Sequence, residues 1–158
     1  MLNWFGSAFY GATSDLIFYN RHFDMNKKTI RTGIVGSGFA ANFHFEALRK
    51  VYCANVEVIG VHTLDVDGGK AYAAARGIRF FDRLEPLLDE VDVIHVCVPP
   101  VAHEPVSVAG LARDKFVICE KPLTGFFGDG SKDFHADRFP KQRALEGALA
   151  SVDRKSVV

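Results

Sequence analysis

The chain has 158 residues, the size of one ordinary domain that can bury a hydrophobic core. Its 19 basic residues balance its 19 acidic ones, so the charge indicates neither a nucleic-acid partner nor an anionic membrane surface. The stretch richest in apolar residues, 91–98, is only as long as a strand and is too short to span a bilayer. We therefore expect a small-molecule partner, no nucleic acid, no membrane and a cytoplasmic location.

The three cysteines, Cys53, Cys97 and Cys119, lie far apart and form no C-x-x-C pair. A scattered, odd-numbered set is typical of neither a disulfide framework nor a zinc site. We expect three buried thiols in a reducing compartment and no metal site.

Strands and helices alternate along the chain from residue 30 onward. The predicted strands cover residues 30–35, 56–61, 93–98 and 116–119, and the predicted helices 39–50, 68–76, 84–88 and 105–112. Phe39, Phe43 and Ala47 share one side of the first helix. The alternation predicts an α/β fold with a doubly wound parallel sheet, that is, a Rossmann fold.

The turn after the first predicted strand has the pattern G-x-G-x-x-A, from Gly36 to Ala41. Gly36 permits a tight turn, Gly38 lets the backbone approach phosphates, and Ala41 is small enough for the helix to pack on the sheet. The unpaired amides at the helix start, near Phe39, would face an anion. The motif predicts a pyrophosphate site; the alternative is a glycine turn with a structural role alone.

Ligands of such sheets bind outside the carboxyl ends of the strands. In this chain those ends carry four groups of residues: 36–41, 62–63, 99–103 and 120–122. We expect all four groups to converge on one crevice.

Three of these groups together resemble the N-terminal domain of the Gfo/Idh/MocA family, named for glucose–fructose oxidoreductase, inositol dehydrogenase and a rhizopine-catabolism protein. They are the glycine turn, a strand ending in Val-Pro-Pro at residue 100 with His103 shortly after it, and Glu120-Lys121-Pro122. The last element is the most specific, because its position after a strand matters as well as its letters. The resemblance covers residues 28–124 and extends loosely to residue 151.

The resemblance implies an NAD- or NADP-dependent oxidoreductase that transfers hydride to or from a sugar, polyol or related carbonyl compound, and a full-length protein that is a homo-oligomer. Lys121 would be the catalytic residue, orienting a substrate hydroxyl beside the nicotinamide. His103 would lie near the nicotinamide ribose, and the alternative is a local hydrogen bond at a helix start. The implied coenzyme-binding residues are Gly36, Ser37, Gly38, Phe39, Ala40, Ala41, Thr63, Pro99, Glu120 and Lys121.

Four further residues near these motifs are assigned supporting roles. Glu120 either orients Lys121 or is solvated, and the peptide before Pro122 is either cis or trans. We expect His44 to pack or to support other site residues, and His95, inside an apolar strand, to be a satisfied core histidine.

The end of the second predicted strand leaves the choice between NAD and NADP open. NAD-specific sites commonly have an acid there, which binds the ribose hydroxyls, whereas NADP-specific sites use a nearby arginine. This chain has His62 and Thr63 there, and Asp65 comes two residues late. Thr63 can bond a ribose hydroxyl or a phosphate oxygen, and NAD is our preferred hypothesis.

The domain organisation predicted from this resemblance has four segments. Residues 25–125 form the dinucleotide-binding domain. Residues 1–24 are expected to be a non-native or disordered extension, and residues 153–158 resemble a translated sequencing adapter. Residues 126–152 form a loop and a helix leading to an absent substrate domain, and the helix has an apolar stripe of Leu145, Ala148, Leu149 and Val152.

On this interpretation the chain is a gene fragment with little activity, and a genuine one-domain protein is the alternative. Two other function classes stay open. A non-catalytic nucleotide-binding or sensor module would bind coenzyme without turnover. Another Rossmann enzyme, such as a methyltransferase, would need an acid closing the second strand, which Thr63 does not supply.

Overall fold

The computed structural model describes residues 27–123, 125–128, 135 and 137–155. The extension predicted at residues 1–24 and the last three residues of the predicted foreign tail lie outside these described residues.

Strands and helices alternate in the described part of the chain, as predicted. In order they are β1 (Thr29–Val35), α1 (Phe39–Leu48), β2 (Asn55–His62), α2 (Val66–Ala74), β3 (Arg79–Phe81), α3 (Leu84–Glu90), β4 (Val93–Val96), α4 (His103–Leu111), β5 (Phe116–Cys119) and α5 (Lys141–Lys155). A 3-10 turn at Pro100–Ala102 leads into α4.

The five strands form one sheet in the order β3-β2-β1-β4-β5, and all pairings are parallel. Ile34 of β1 lies between Val61 of β2 and His95 of β4. The order reverses direction between β1 and β4, which makes this the switch point where doubly wound sheets bind ligands. The predicted fold class is confirmed.

Within residues 29–119, every predicted strand and helix boundary lies within two residues of the observed one. α2 begins two residues early because Asp65 caps it, its carboxylate accepting a hydrogen bond from the Gly68 amide at 3.0 Å. β4 ends at Val96, two residues before the apolar run does. The three-residue strand β3 was not predicted, because so short a segment shows no periodicity.

The core lies on both faces of the sheet. Ile34 and Val61 pack with α1 and α2 on one face, and Val35, Ile94 and Val96 pack with α3 on the other. Burial of these apolar side chains is the main force that holds the helices to the sheet.

The buried side of α1 is not the one that carries Phe39, Phe43 and Ala47. Ala41 and Phe45 are buried instead, while Phe39 is 86% exposed and Phe43 is 68% exposed. α1 therefore presents two aromatic rings to solvent.

The expectation of three buried thiols needs correction. Cys53 is exposed, so only Cys97 is a fully buried thiol and Cys119 is partly buried.

Helix α5 lies against α4 through the buried Ser151, which hydrogen-bonds Glu104. The larger members of the predicted stripe, Leu145 and Leu149, are more than half exposed.

Candidate coenzyme and active site

The four strand-end groups follow the carboxyl ends of parallel strands and so lie at one edge of the sheet. Backbone hydrogen bonds join the ends of neighbouring strands: the Gly36 amide donates to the His62 carbonyl at 2.7 Å, and the Cys97 amide to the Val35 carbonyl at 2.8 Å. On the outer side, the Glu120 amide donates to the Val96 carbonyl at 3.0 Å. This edge is the candidate site.

The two glycines of the turn have different roles in this geometry. Gly36 has a φ of +112°, and a Cβ there would stand 2.4 Å from the Cys97 carbonyl oxygen, so the fold itself requires glycine. Gly38 has a φ of −84°, and a Cβ there would meet no described atom within 4 Å. The fold leaves the space above Gly38 open.

The start of α1 suits an anion. Gly38 is the N-cap residue and contributes no side-chain cap, and the first turn carries no acidic residue. The amides of Phe39, Ala40 and Ala41 precede the first intrahelical donor, Asn42, and so have no partner within the helix. These amides and the helix dipole together form the kind of site that phosphates occupy.

At the end of β2, Thr63 remains available to a ligand. The His62 ring is buried, and its Nδ1 donates to the Phe81 carbonyl at 3.0 Å, so it is held inside the fold. The Asp65 carboxylate caps α2. The partly exposed Thr63 lies between these two residues.

At the end of β5, Lys121 is exposed and Glu120 holds its main chain. One carboxylate oxygen of Glu120 accepts the Lys121 amide at 3.2 Å, and the other accepts from Nε2 of His44 at 2.9 Å. The hydrogen bond from His44, followed by that from the Lys121 amide, lowers the pKa of Glu120. Of the two alternatives for Glu120, the geometry favours orientation of Lys121. The Lys121–Pro122 peptide is cis.

His103 joins two loops of the site. Its ring is 1% exposed, and Nδ1 and Nε2 lie 2.9 Å from the carbonyl oxygens of Pro122 and Val98. Both ring nitrogens therefore contact backbone carbonyls, and the place of His103 near the nicotinamide ribose stays a prediction. The contact places the residues after β4 beside those after β5.

A pair of histidines beneath the site was not anticipated as a pair. His95 is buried, and its Nδ1 lies 2.7 Å from Nδ1 of His44. Burial, and secondarily the neighbouring His44, lower the pKa of His95 to about 4. His95 is a buried histidine with a hydrogen-bonding partner, as expected of a satisfied core histidine. The one feature of the sequence that indicated the pair was a histidine within an apolar strand.

Cys97, close to the glycine turn, is not a candidate nucleophile. Burial is the largest of the causes that raise the pKa of its thiol to about 12. The thiol is therefore protonated at neutral pH.

The parallel sheet, the glycine turn at its switch point and the uncapped start of α1 together define a dinucleotide-binding Rossmann domain. The family model "Oxidoreductase family, NAD-binding Rossmann fold" (GFO_IDH_MocA) matches residues 30–135. The chain belongs to this family.

Curated relatives share roughly a third of the aligned residues with this chain. Inositol 2-dehydrogenase of Corynebacterium glutamicum (strain R) is 34% identical over 105 residues, which cover 61% of this chain and 29% of the relative. Glucose-6-phosphate 3-dehydrogenase of Bacillus subtilis (strain 168) is 28% identical over 93 residues, which cover 59% of this chain and 26% of the relative. The chain thus spans less than a third of the length of these relatives.

Solved structures show the same fold. GenD2 from gentamicin A biosynthesis, in complex with NAD, aligns with a TM-score of 0.57 and 26% identity over 80% of this chain and 32% of its own. Myo-inositol dehydrogenase from Lactobacillus casei, in complex with NAD(H) and myo-inositol, aligns with a TM-score of 0.60 and 24% identity over 82% of this chain and 34% of its own.

Across the residues that the structure describes, no helix combines the length and apolar character needed to cross a membrane.

Substituting the two glycines should separate folding from binding. Gly38→Val should keep the fold, because the new side chain enters space that the fold leaves open. The same side chain should abolish NADH binding, because it occupies the space in which the backbone at Gly38 would approach the pyrophosphate. Gly36→Ala should instead destabilise the fold by about 2 kcal/mol or more, because of the positive φ and the contact with Cys97. Calorimetric titration and thermal melting distinguish the two effects. Unchanged NADH affinity in Gly38→Val would contradict the site.

Acid should destabilise the fold through His95. Its pKa is about 4 in the folded chain and about 6.5 when unfolded, so between these values the unfolded chain binds more protons and stability falls as the pH falls. His95→Leu removes this loss. The stability of the variant relative to the wild type should therefore rise by up to about 3 kcal/mol from pH 7 to pH 4. Urea denaturation measures this difference, and a pH-independent difference would refute the assignment.

Proposed function

We propose that this chain is the coenzyme domain of an oxidoreductase that transfers hydride between NAD(H) and a sugar, a polyol or a related carbonyl compound. The observation that carries the proposal is the position of Lys121. It lies on the same sheet edge as the open glycine turn, with its main chain bound to Glu120. We infer that the anion site at the start of α1 and Lys121 serve one bound coenzyme and its substrate.

In this proposal the coenzyme follows the sheet edge from β2 to β5. The pyrophosphate binds Gly36, Ser37 and the amides at the start of α1, over the open space at Gly38. The adenosine ribose contacts Thr63. The nicotinamide end reaches Pro99, Glu120 and Lys121, which follow β4 and β5.

NAD is the coenzyme that the end of β2 favours. An NADP site needs a cation for the 2′-phosphate, whereas the residues after Thr63 are Leu64 and Asp65. The Asp65 carboxylate, held at the start of α2, would repel that phosphate. Thr63 supplies a hydroxyl that can bond the ribose.

The chemistry divides between the coenzyme and the chain. When bound, the nicotinamide supplies the hydride acceptor or donor. Lys121 donates a hydrogen bond to the substrate oxygen, which orients the reacting carbon and stabilises the charge that develops on the oxygen. Glu120 and His103 hold the backbone on either side of Lys121.

The proposed substrate class follows the relatives, which are named for dehydrogenation of inositol and of glucose 6-phosphate. Since the chain spans less than a third of their length, we propose that it is a fragment and that a further domain supplies the facing wall of the substrate pocket. We also propose a homo-oligomeric full-length protein located in the cytoplasm. The free cysteines, of which Cys53 is exposed, support a reducing compartment.

Replacing Lys121 should separate turnover from coenzyme binding. In a longer gene product that includes the second domain, Lys121→Ala should lower kcat for a sugar or polyol by about 10²-fold or more, because the substrate oxygen loses its donor. The dissociation constant for NADH should change by less than about twofold, because the α1 site is untouched. The present chain should bind NADH but show little turnover.

Steady-state kinetics and fluorescence titration measure the two quantities. Lys115→Ala, at the opposite end of β5, is the matched control and should leave both unchanged. Wild-type kcat in Lys121→Ala would contradict the proposed role, and ordinary enzyme rates in the present chain would contradict the fragment proposal.

A further inference from the structure

We propose that His44 and His95 are positioning residues for Lys121, acting through Glu120. The proposal rests on the proposed function in one respect, namely that Lys121 donates a hydrogen bond to the substrate oxygen. The positioning itself is a property of this chain and can be tested without coenzyme or substrate.

The contacts form one continuous chain from the core to the strand-end edge of the sheet. His95 of β4 meets His44 of α1 at 2.7 Å between their Nδ1 atoms. Nε2 of His44 meets Oε1 of Glu120 at 2.9 Å, and Oε2 of Glu120 accepts the Lys121 amide at 3.2 Å. Polar side chains thus link three elements: β4, α1 and the end of β5.

The hydrogen-bonding capacity of Glu120 determines which nitrogen of His44 must carry a proton. The hydrogen bond from His44 and then that from the Lys121 amide lower the pKa of Glu120, so its carboxylate is an acceptor only. Nε2 of His44 must therefore carry a proton. One proton lies between the two Nδ1 atoms, and His44 directs Nε2–H at Glu120 whether that proton belongs to His95 or to His44.

His95 makes this orientation stable. Burial, and to a lesser degree the neighbouring His44, lower the pKa of His95 to about 4, so at neutral pH its ring carries a single proton. When His44 also carries one proton, the Nδ1–H of His95 must be the donor, which leaves Nε2–H as the tautomer of His44. The buried ring thereby selects the tautomer that Glu120 requires.

The linkage also connects the two halves of the candidate site. α1 begins at the proposed pyrophosphate position and carries His44 near its middle. Glu120 directly precedes the proposed substrate lysine. A shift of α1 would therefore be transmitted to Lys121 through one imidazole, with the side chain of His44 only 15% exposed and that of Glu120 28% exposed.

The first test is the protonation pattern of the wild-type chain. Long-range ¹⁵N–¹H spectra at pH 7 should show a proton on Nε2 of His44 and hydrogen-bonded character at both Nδ1 atoms. The ring of His62, whose Nδ1 donates to the Phe81 carbonyl, serves as the internal reference for a bond to a backbone carbonyl. An unprotonated Nε2 on His44 would overturn the proposal, and this measurement requires no variant to fold.

The second test uses amide hydrogen exchange with a matched pair of variants. His44→Leu removes the donor to Glu120, whereas His44→Gln keeps an N–H near the position of Nε2. The Lys121 amide should exchange at least about fivefold faster in His44→Leu, measured relative to the Glu120 amide. His44→Gln should restore the wild-type ratio within about twofold.

The Glu120 amide is a suitable reference because it donates to the Val96 carbonyl and does not depend on the carboxylate. General loosening of the fold would raise both exchange rates together and leave their ratio unchanged. An unchanged ratio in His44→Leu, or an equal rise in both variants, would show that His44 only packs, and the proposal would be wrong.

Discussion

The close approach of the backbone at Gly36 is the constraint on which the rest of the site depends. The chain leaves β1 with a positive φ and passes so near the Cys97 carbonyl that a side chain would not fit. This tight turn sets the start of α1 against the carboxyl ends of β1 and β4. The unpartnered helix amides therefore face the switch point of the sheet, where an anion can reach them.

The segment after β5 is held from two sides, and this explains how an exposed lysine can be placed accurately. His103 binds the Pro122 carbonyl from the side of α4, and Glu120, held by His44, binds the Lys121 amide from the side of α1. Both supports come from buried or half-buried imidazoles, whose rings have few alternative orientations. The side chain of Lys121 stays exposed while its main chain is fixed.

The sequence predicts those features of the fold and site that depend on local patterns. The glycine turn and the strands flanking it are recognisable because Gly36 and the apolar runs act through neighbouring residues. The spacing of Phe39 and Phe43 puts them on one side of α1 but does not indicate that this side faces solvent, because the rotation of α1 depends on its packing against the sheet. The contact between His44 and His95 depends on that rotation and on the register of β4, which no local pattern encodes.

The central claim is that a nicotinamide coenzyme lies along the edge formed by the strand ends, and backbone amide chemical shifts during an NADH titration test it most directly. The account predicts that the largest shifts occur at the amides of Phe39, Ala40 and Ala41, with further shifts at Thr63 and Lys121. Saturable shifts confined to other parts of the described chain, or no shifts at NADH concentrations that saturate ordinary dehydrogenases, would contradict it.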